Sequence, residues 1–266
     1  MRIRSVLLAF AGAVVLCAQT FEGIPQMELE FRDGVWYIPT IERDLGRAGY
    51  PLTEEALVAA LRDPRARVRS LAVEKLAKDG RRGAVPSIMS AFSVENDLGA
   101  RLWMAYGLAK LGEEKGAVEI ANTCKAGGPI GLRLTAASLA MTLGKAGCND
   151  AVVEILRSLV NHETGLPPQR EGSELSYIYS LLNGRSAEFK PRSGEIRGFL
   201  EGSLTDSRDA VRMFAANTLG TFGNAGSLEK LRQALAMETV ATVRARLAAN
   251  VAELEEREHD TATQKR

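Results

Sequence analysis

Two histidines, His162 and His259, and three cysteines, Cys17, Cys124 and Cys148, are the residues of this chain with the widest chemical reach, and their spacing restricts what they can do. A catalytic zinc needs three protein ligands converging on one point. Neither histidine has a second His or a Cys at ligand spacing, and Glu163 beside His162 is the only sequence hint of an acid-base pair. No G-x-S-x-G turn and no phosphate-cradling glycine loop occurs, and the glycines of KAGGPIG, Lys125 to Gly131, read as a turn. His162 therefore reads as a helix-end residue and His259 as a solvated one. No catalytic, cofactor-binding or metal-ligating residue is assigned, and no cofactor is expected.

The cysteines carry information about compartment. Residues 1–20, MRIRSVLLAFAGAVVLCAQT, place Arg2 and Arg4 before an apolar run from Ser5 to Leu16 and then turn small and polar. That is the layout of an export signal, with cleavage expected near Ala18. The run is short of the roughly 20 residues that cross a bilayer as a helix, so no integral span is expected after signal removal. Cys17 admits a lipid anchor, although the bulky Leu16 stands where bacterial lipoprotein signals resemble one another in having Gly, Ala or Ser. Export leaves Cys124 and Cys148 as the thiols available for a disulfide. Their positions in the repeat argue against one: Cys124 follows Arg101 by 23 residues and Cys148 follows Arg133 by 15, which puts them at opposite ends of neighbouring helices. Such an offset amounts to about 12 Å along a helix, against a Cα limit of roughly 7 Å for a bridge.

The elements that would position any of these residues come from an internal repeat. VRSLAVEKLAKDG from Val68, ARLWMAYGLAKLG from Ala100, LRLTAASLAMTLG from Leu132 and VRMFAANTLGTFG from Val211 align, and VRARLAANVAELE from Val243 is a fifth copy. The arginines fall at 69, 101, 133, 212 and 244, a 32-residue period broken once by a gap of 79. Apolar columns recur every four residues: Val68, Ala72 and Leu76 in the first copy, Val211, Ala215 and Leu219 in the fourth. This spacing lies on one helix face. A column of Val73, Ala105, Ala137, Ala216 and Ala248 is small enough for helices to approach closely. Six residues before the arginine stands Asp63, Glu95, Gly127, Asp206 or Glu238. Asp63 followed by Pro64 has the form of a helix start. Gly80, Gly112, Gly144 and Gly223 suit left-handed helix caps, and a second apolar stretch follows each cap in most copies. Each unit is expected to be a helical hairpin that buries its apolar face only by stacking on the next.

This pattern resembles bacterial HEAT-like repeats, in particular the short kind found in phycobilisome lyases, from about Thr53 to Glu256. The resemblance implies an all-α fold, an α-solenoid of about six stacked hairpins. It also implies a structural ladder among Asp63, Asp206, Arg69, Arg101, Arg133, Arg212 and Arg244.

Before the repeats, residues 21–52 form a lead-in or cap. Met27 to Pro39 alternates around Asp33-Gly34, as a short hairpin or an extended strand would, Ile41 to Tyr50 contains a short helix, and Thr53 caps another. Residues 257–266 are expected to be a disordered tail. Residues 164–191, rich in Pro, Gly and Ser, interrupt the period as an insertion or an eroded repeat with its first helix near Ser173 to Gly184. Tyr177 and Tyr179 within it are candidate interaction residues, because excursions from repeat scaffolds often carry function.

Lys plus Arg total 34 against 33 Asp plus Glu, so no global field attracts nucleic acid or an anionic membrane. A local run from Arg62 to Arg82 holds eight basic and three acidic residues and reads as a solvated helix face. The expected function is that of an exported, noncatalytic scaffold binding a protein or peptide along its concave helical face. A lyase-like enzyme or ligand-handling subunit and a structural accessory subunit of an envelope complex are the alternatives.

Overall fold

A computed structural model describes residues 30–32, 35–37 and 40–264. The expected export signal, with Cys17, and residues 21–29 of the lead-in lie outside the described residues. The described fold is all-α apart from a small antiparallel ribbon, in which Glu30–Arg32 (β1) pairs with Val35–Tyr37 (β2) and Phe31 stands opposite Trp36. The helices fall into two compact units that meet in sequence between Cys148 and Asn149.

The first unit contains α1 (Ile41–Arg47), α2 (Glu54–Ala60), α3 (Ala66–Lys78), α4 (Val85–Val94), α5 (Leu98–Lys110), α6 (Glu114–Lys125) and α7 (Ile130–Thr142). Thr40 and Thr53 begin α1 and α2 by accepting the backbone N–H of Arg43 and Ala56, and Asp97 does the same for Ala100 in α5. Each removes one of the unpaired donors at a helix start. The repeat columns are the core: Leu76, Leu108, Ala72, Met104 and Ala136 are all fully buried. The small column lets backbones close in. A methyl added at Gly107 of α5 would fall 2.2 Å from Val73 of α3, and one at Gly116 of α6 would fall 2.2 Å from the Ala105 carbonyl of α5.

The second unit contains α8 (Asn149–Val160), α9 (Pro168–Gly184), α10 (Ser193–Ser203), α11 (Asp209–Phe222), α12 (Ala225–Met237) and α13 (Ala241–Gln264). Its apolar columns, Val211, Ala215, Leu219, Val243 and Leu247, are buried in the same way. The interrupting segment is itself helical: α9 ends at Gly184 as expected but begins at Pro168, where proline suits a first helical turn. α13 runs on to Gln264, so the end expected to be disordered after Glu256 is helical through that residue.

Three local expectations are corrected. Asp63 does not cap α3, which starts at Ala66; it instead accepts the backbone N–H of Arg65 at 2.8 Å, just ahead of the helix. Gly80, Gly112 and Gly144 take the left-handed cap at φ 68°, 102° and 69°, but Gly223 is at −70°. At Gly223 small size is what counts, since a Cβ would lie 2.5 Å from the Leu219 carbonyl. The third correction is the disulfide. Cys124 and Cys148 are bonded, with Cα atoms 5.9 Å apart and both side chains fully buried. The offset expected for two helical positions does not apply, because Cys148 is not on α8. It belongs to a 3-10 turn, Ala146–Cys148, that packs against α6 and brings the thiol to the helix end where Cys124 sits.

Candidate functional site

Two of the repeat arginines, Arg69 and Arg212, are each held twice. Arg69 donates through Nη1 to the carbonyls of Asp63 and Pro64 at 2.8 and 3.0 Å, locking the turn that leads into its own helix. Its Nε and Nη2 grip both oxygens of Glu95, 26 residues further on, at 2.6 and 2.7 Å. Such a two-point fork fixes orientation as well as distance. Burial alone would raise the Glu95 carboxyl, but Arg69 and the Asp97 N–H outweigh it and hold the group below the usual carboxylate range. Beside this pair, the Arg65 guanidinium and backbone N–H hold Asp63 far below that range against the opposing effect of burial, and the Tyr50 hydroxyl donates to it at 3.1 Å.

The second unit repeats the arrangement 143 residues later, since Asp63 and Asp206, Arg69 and Arg212, and Glu95 and Glu238 are separated by that same interval. Arg212 reaches the Asp206 and Ser207 carbonyls at 2.8 and 3.2 Å and forks Glu238 at 2.7 and 3.0 Å. Hydrogen bonds from Arg212, helped by the Val240 and Thr239 N–H groups, hold Glu238 down to about 2 despite burial. Asp206 accepts Arg208 as Asp63 accepts Arg65, and His162 takes the place of Tyr50 with Nε2 3.7 Å from the carboxylate. Arg208 also donates to the Leu159 and Val160 carbonyls at the end of α8 and to Glu171 at 2.7 Å.

Each pair floors a groove. In the first unit a groove of about 490 Å³ lies among Val58 of α2, Leu61 just after it, the Asp63-Pro64 turn, and Ala91 and Val94 of α4. Its counterpart in the second unit, about 370 Å³, is lined by Leu204, Asp206, Arg212, Ala234, Met237 and Glu238. The Arg–Glu pair and the aspartate of each floor are bonded within the fold, and the exposed Arg62 also lines the first groove. What each groove leaves open is its apolar rim. Val94 and Met237, at the same repeat position, are 73% and 66% exposed.

The other candidate residues fall elsewhere. His162 sits in the left-handed conformation, φ 58°, at the end of α8, the cap conformation that Gly80, Gly112 and Gly144 take at the ends of α3, α5 and α7. Its backbone turn is the same one, closed by Glu163 N–H to the Ser158 carbonyl at 2.9 Å. Tyr177 and Tyr179 flank the buried Ile178 on α9, are half-buried themselves, and line neither groove. Arg101 and Arg133 do not form the rung. Arg101 bonds Glu119 at 2.7 Å and the Phe92 carbonyl at 3.0 Å, Arg133 bonds the Cys124 carbonyl at 3.2 Å, and Arg244 is exposed. The basic run is largely neutralised, as Arg67 pairs with Asp44, Lys75 with Glu42 and Asp79, and Arg69 with Glu95.

Sequence reasoning missed the rim residues Val94 and Met237. The available signal was a large apolar residue immediately before the repeat's acidic residue in these two copies. It also missed Glu174, which α9 buries to 2% exposure with Oε2 unmatched by a donor among the described residues. Burial pushes that carboxyl up to about 7, with Arg170 pulling weakly the other way. Among the described residues no group of three or more His, Cys, Asp or Glu is placed to hold a metal ion, and no helix is long and apolar enough to cross a membrane. Comparison with protein-family models and with curated proteins finds no match to this chain.

Proposed function

We propose that this chain is an exported, noncatalytic scaffold of the HEAT-like type, an α-solenoid of about six stacked hairpins that grips a protein or peptide along its concave helical face. The observation that carries the reading is the recurrence of one groove in both units, each with an internally neutralised Arg–Glu floor and an exposed apolar rim residue, Val94 or Met237. A floor whose charges are already paired offers shape and apolar surface, which suits a side chain of a protein partner better than a charged metabolite. The Cys124–Cys148 disulfide supports export, because such bonds persist in oxidising compartments.

The test is to express residues 20–266 with an affinity tag in the periplasm of the native host and identify by mass spectrometry what is retained. The Val94→Glu, Met237→Glu double variant is carried in parallel. A stoichiometric protein partner retained by the native chain and lost by the double variant, at unchanged melting temperature, is the expected result. Recovery alone with a bound small molecule, or equal retention by both chains, would overturn the scaffold reading.

A further inference from the structure

The Arg–Glu rung that ties one repeat to the next is present at Arg69–Glu95 and at Arg212–Glu238 and lapses between them. Counted 26 residues on, Arg101 arrives at Gly127 and Arg133 at Leu159, neither of which offers a carboxylate. Arg101 turns back to Glu119, and Arg133 is left with the Cys124 carbonyl as an acceptor. It is in this stretch that the disulfide lies. It closes a loop spanning 24 residues that contains the whole of α7, and ties the end of α6 to the turn following α7. The buried side of α7 combines small residues, Gly131, Ala136, Ala137 and Ala140, with the apolar side chains of Leu134, Leu139 and Met141, and carries no Arg–Glu rung of its own.

We propose that the Cys124–Cys148 bond is the covalent substitute for the missing rungs, a redox-dependent lock that secures the α6–α7 region only after oxidation. In forming it, the two thiols give up two protons and two electrons to a disulfide of another thiol compound, which is released as two thiols. Both sulfurs are fully buried, so once made the bond is shielded from exchange with solvent thiols. The lock stands on local geometry and does not depend on the scaffold reading, and its test involves no partner.

Hydrogen exchange of the oxidised mature chain is compared with that of the Cys124→Ser, Cys148→Ser variant. Loss of the lock is expected to speed exchange in α7 on the order of 50-fold, while α3, beside the intact Arg69–Glu95 rung, changes far less. Adding Gly127→Glu to that variant supplies the carboxylate opposite Arg101 at a position where an added Cβ meets nothing within 4 Å. This is expected to return α7 most of the way to its oxidised exchange rate. Unchanged exchange in α7 without the cysteines, a rise of equal size throughout the first unit, or no recovery with Gly127→Glu would each overturn the proposal. So would alkylation of both cysteines in denatured, unreduced protein taken from the periplasm.

Discussion

Arg69 and Glu95 meet through two parallel hydrogen bonds of 2.6 and 2.7 Å, and the Glu95 side chain is only 4% exposed. A carboxylate removed from water to that degree depends on its partner. Arg69→Ala is therefore expected to cost about 3 kcal/mol in urea unfolding, because Glu95 is left charged and uncompensated. Arg69→Lys recovers part of this, since an ammonium cannot reproduce the fork. The paired change Arg69→Met, Glu95→Leu should cost less than Arg69→Ala alone, and an equal or greater cost would contradict this account of the rung.

Glu238 sets an acid limit. Its folded carboxyl is held down to about 2 by Arg212, below the 4.5 of the unfolded chain. A depressed carboxyl contributes stability that is fully present above the unfolded value and disappears as pH falls through the folded one. Melting temperature should thus drop between pH 4.5 and 2, and Glu238→Gln, less stable than the native chain at pH 7, should converge with it at the acid end. Parallel curves for the two chains would count against this.

Glu174 acts with the opposite sign. Burial raises its carboxyl to about 7, so the protonated form suits the fold, and stability declines as pH rises from 4.5 through 7. Glu174→Gln keeps the shape and removes the charge. The variant should melt about 5 °C above the native chain at pH 8, with the advantage shrinking towards pH 5. An advantage independent of pH would show that ionisation is not its origin.

Glycine at two helical positions separates packing from propensity. Gly116→Ala drives a methyl to 2.2 Å from the Ala105 carbonyl and 2.6 Å from the Ala109 nitrogen, backbone atoms that cannot rotate away. A loss of about 3 kcal/mol is expected from urea unfolding. Gly46→Ala in α1 meets nothing within 4 Å and should gain about 0.5 kcal/mol by limiting the unfolded chain. A mild effect at Gly116 would mean that α5 and α6 separate easily.

Much of the helical architecture was legible because periodicity records burial directly. Ala72, Met104, Ala136, Ala215 and Leu247 were placed on one face by four-residue spacing alone, and each is buried. The rungs were half legible. An acidic residue stands six positions before four of the five arginines, and the family resemblance implied a ladder, but Arg69 uses the carbonyl of its own Asp63 and the carboxylate of the next copy's Glu95. Spacing cannot say which of two equivalent acids an arginine will choose, since the choice depends on how one hairpin sets against the next.

The sequence by itself determined the all-α class, the helix faces and the repeating arginine, because these follow from short-range spacing of residue types. Tertiary structure alone decided that Cys124 and Cys148 meet, that His162 takes a left-handed cap conformation, and that Val94 and Met237 stay exposed above paired charges. Each of these depends on where a turn or a neighbouring helix lies in space. A displacement of a few ångströms, too small to leave a mark in a 32-residue period, separates a bridged pair of cysteines from two isolated ones.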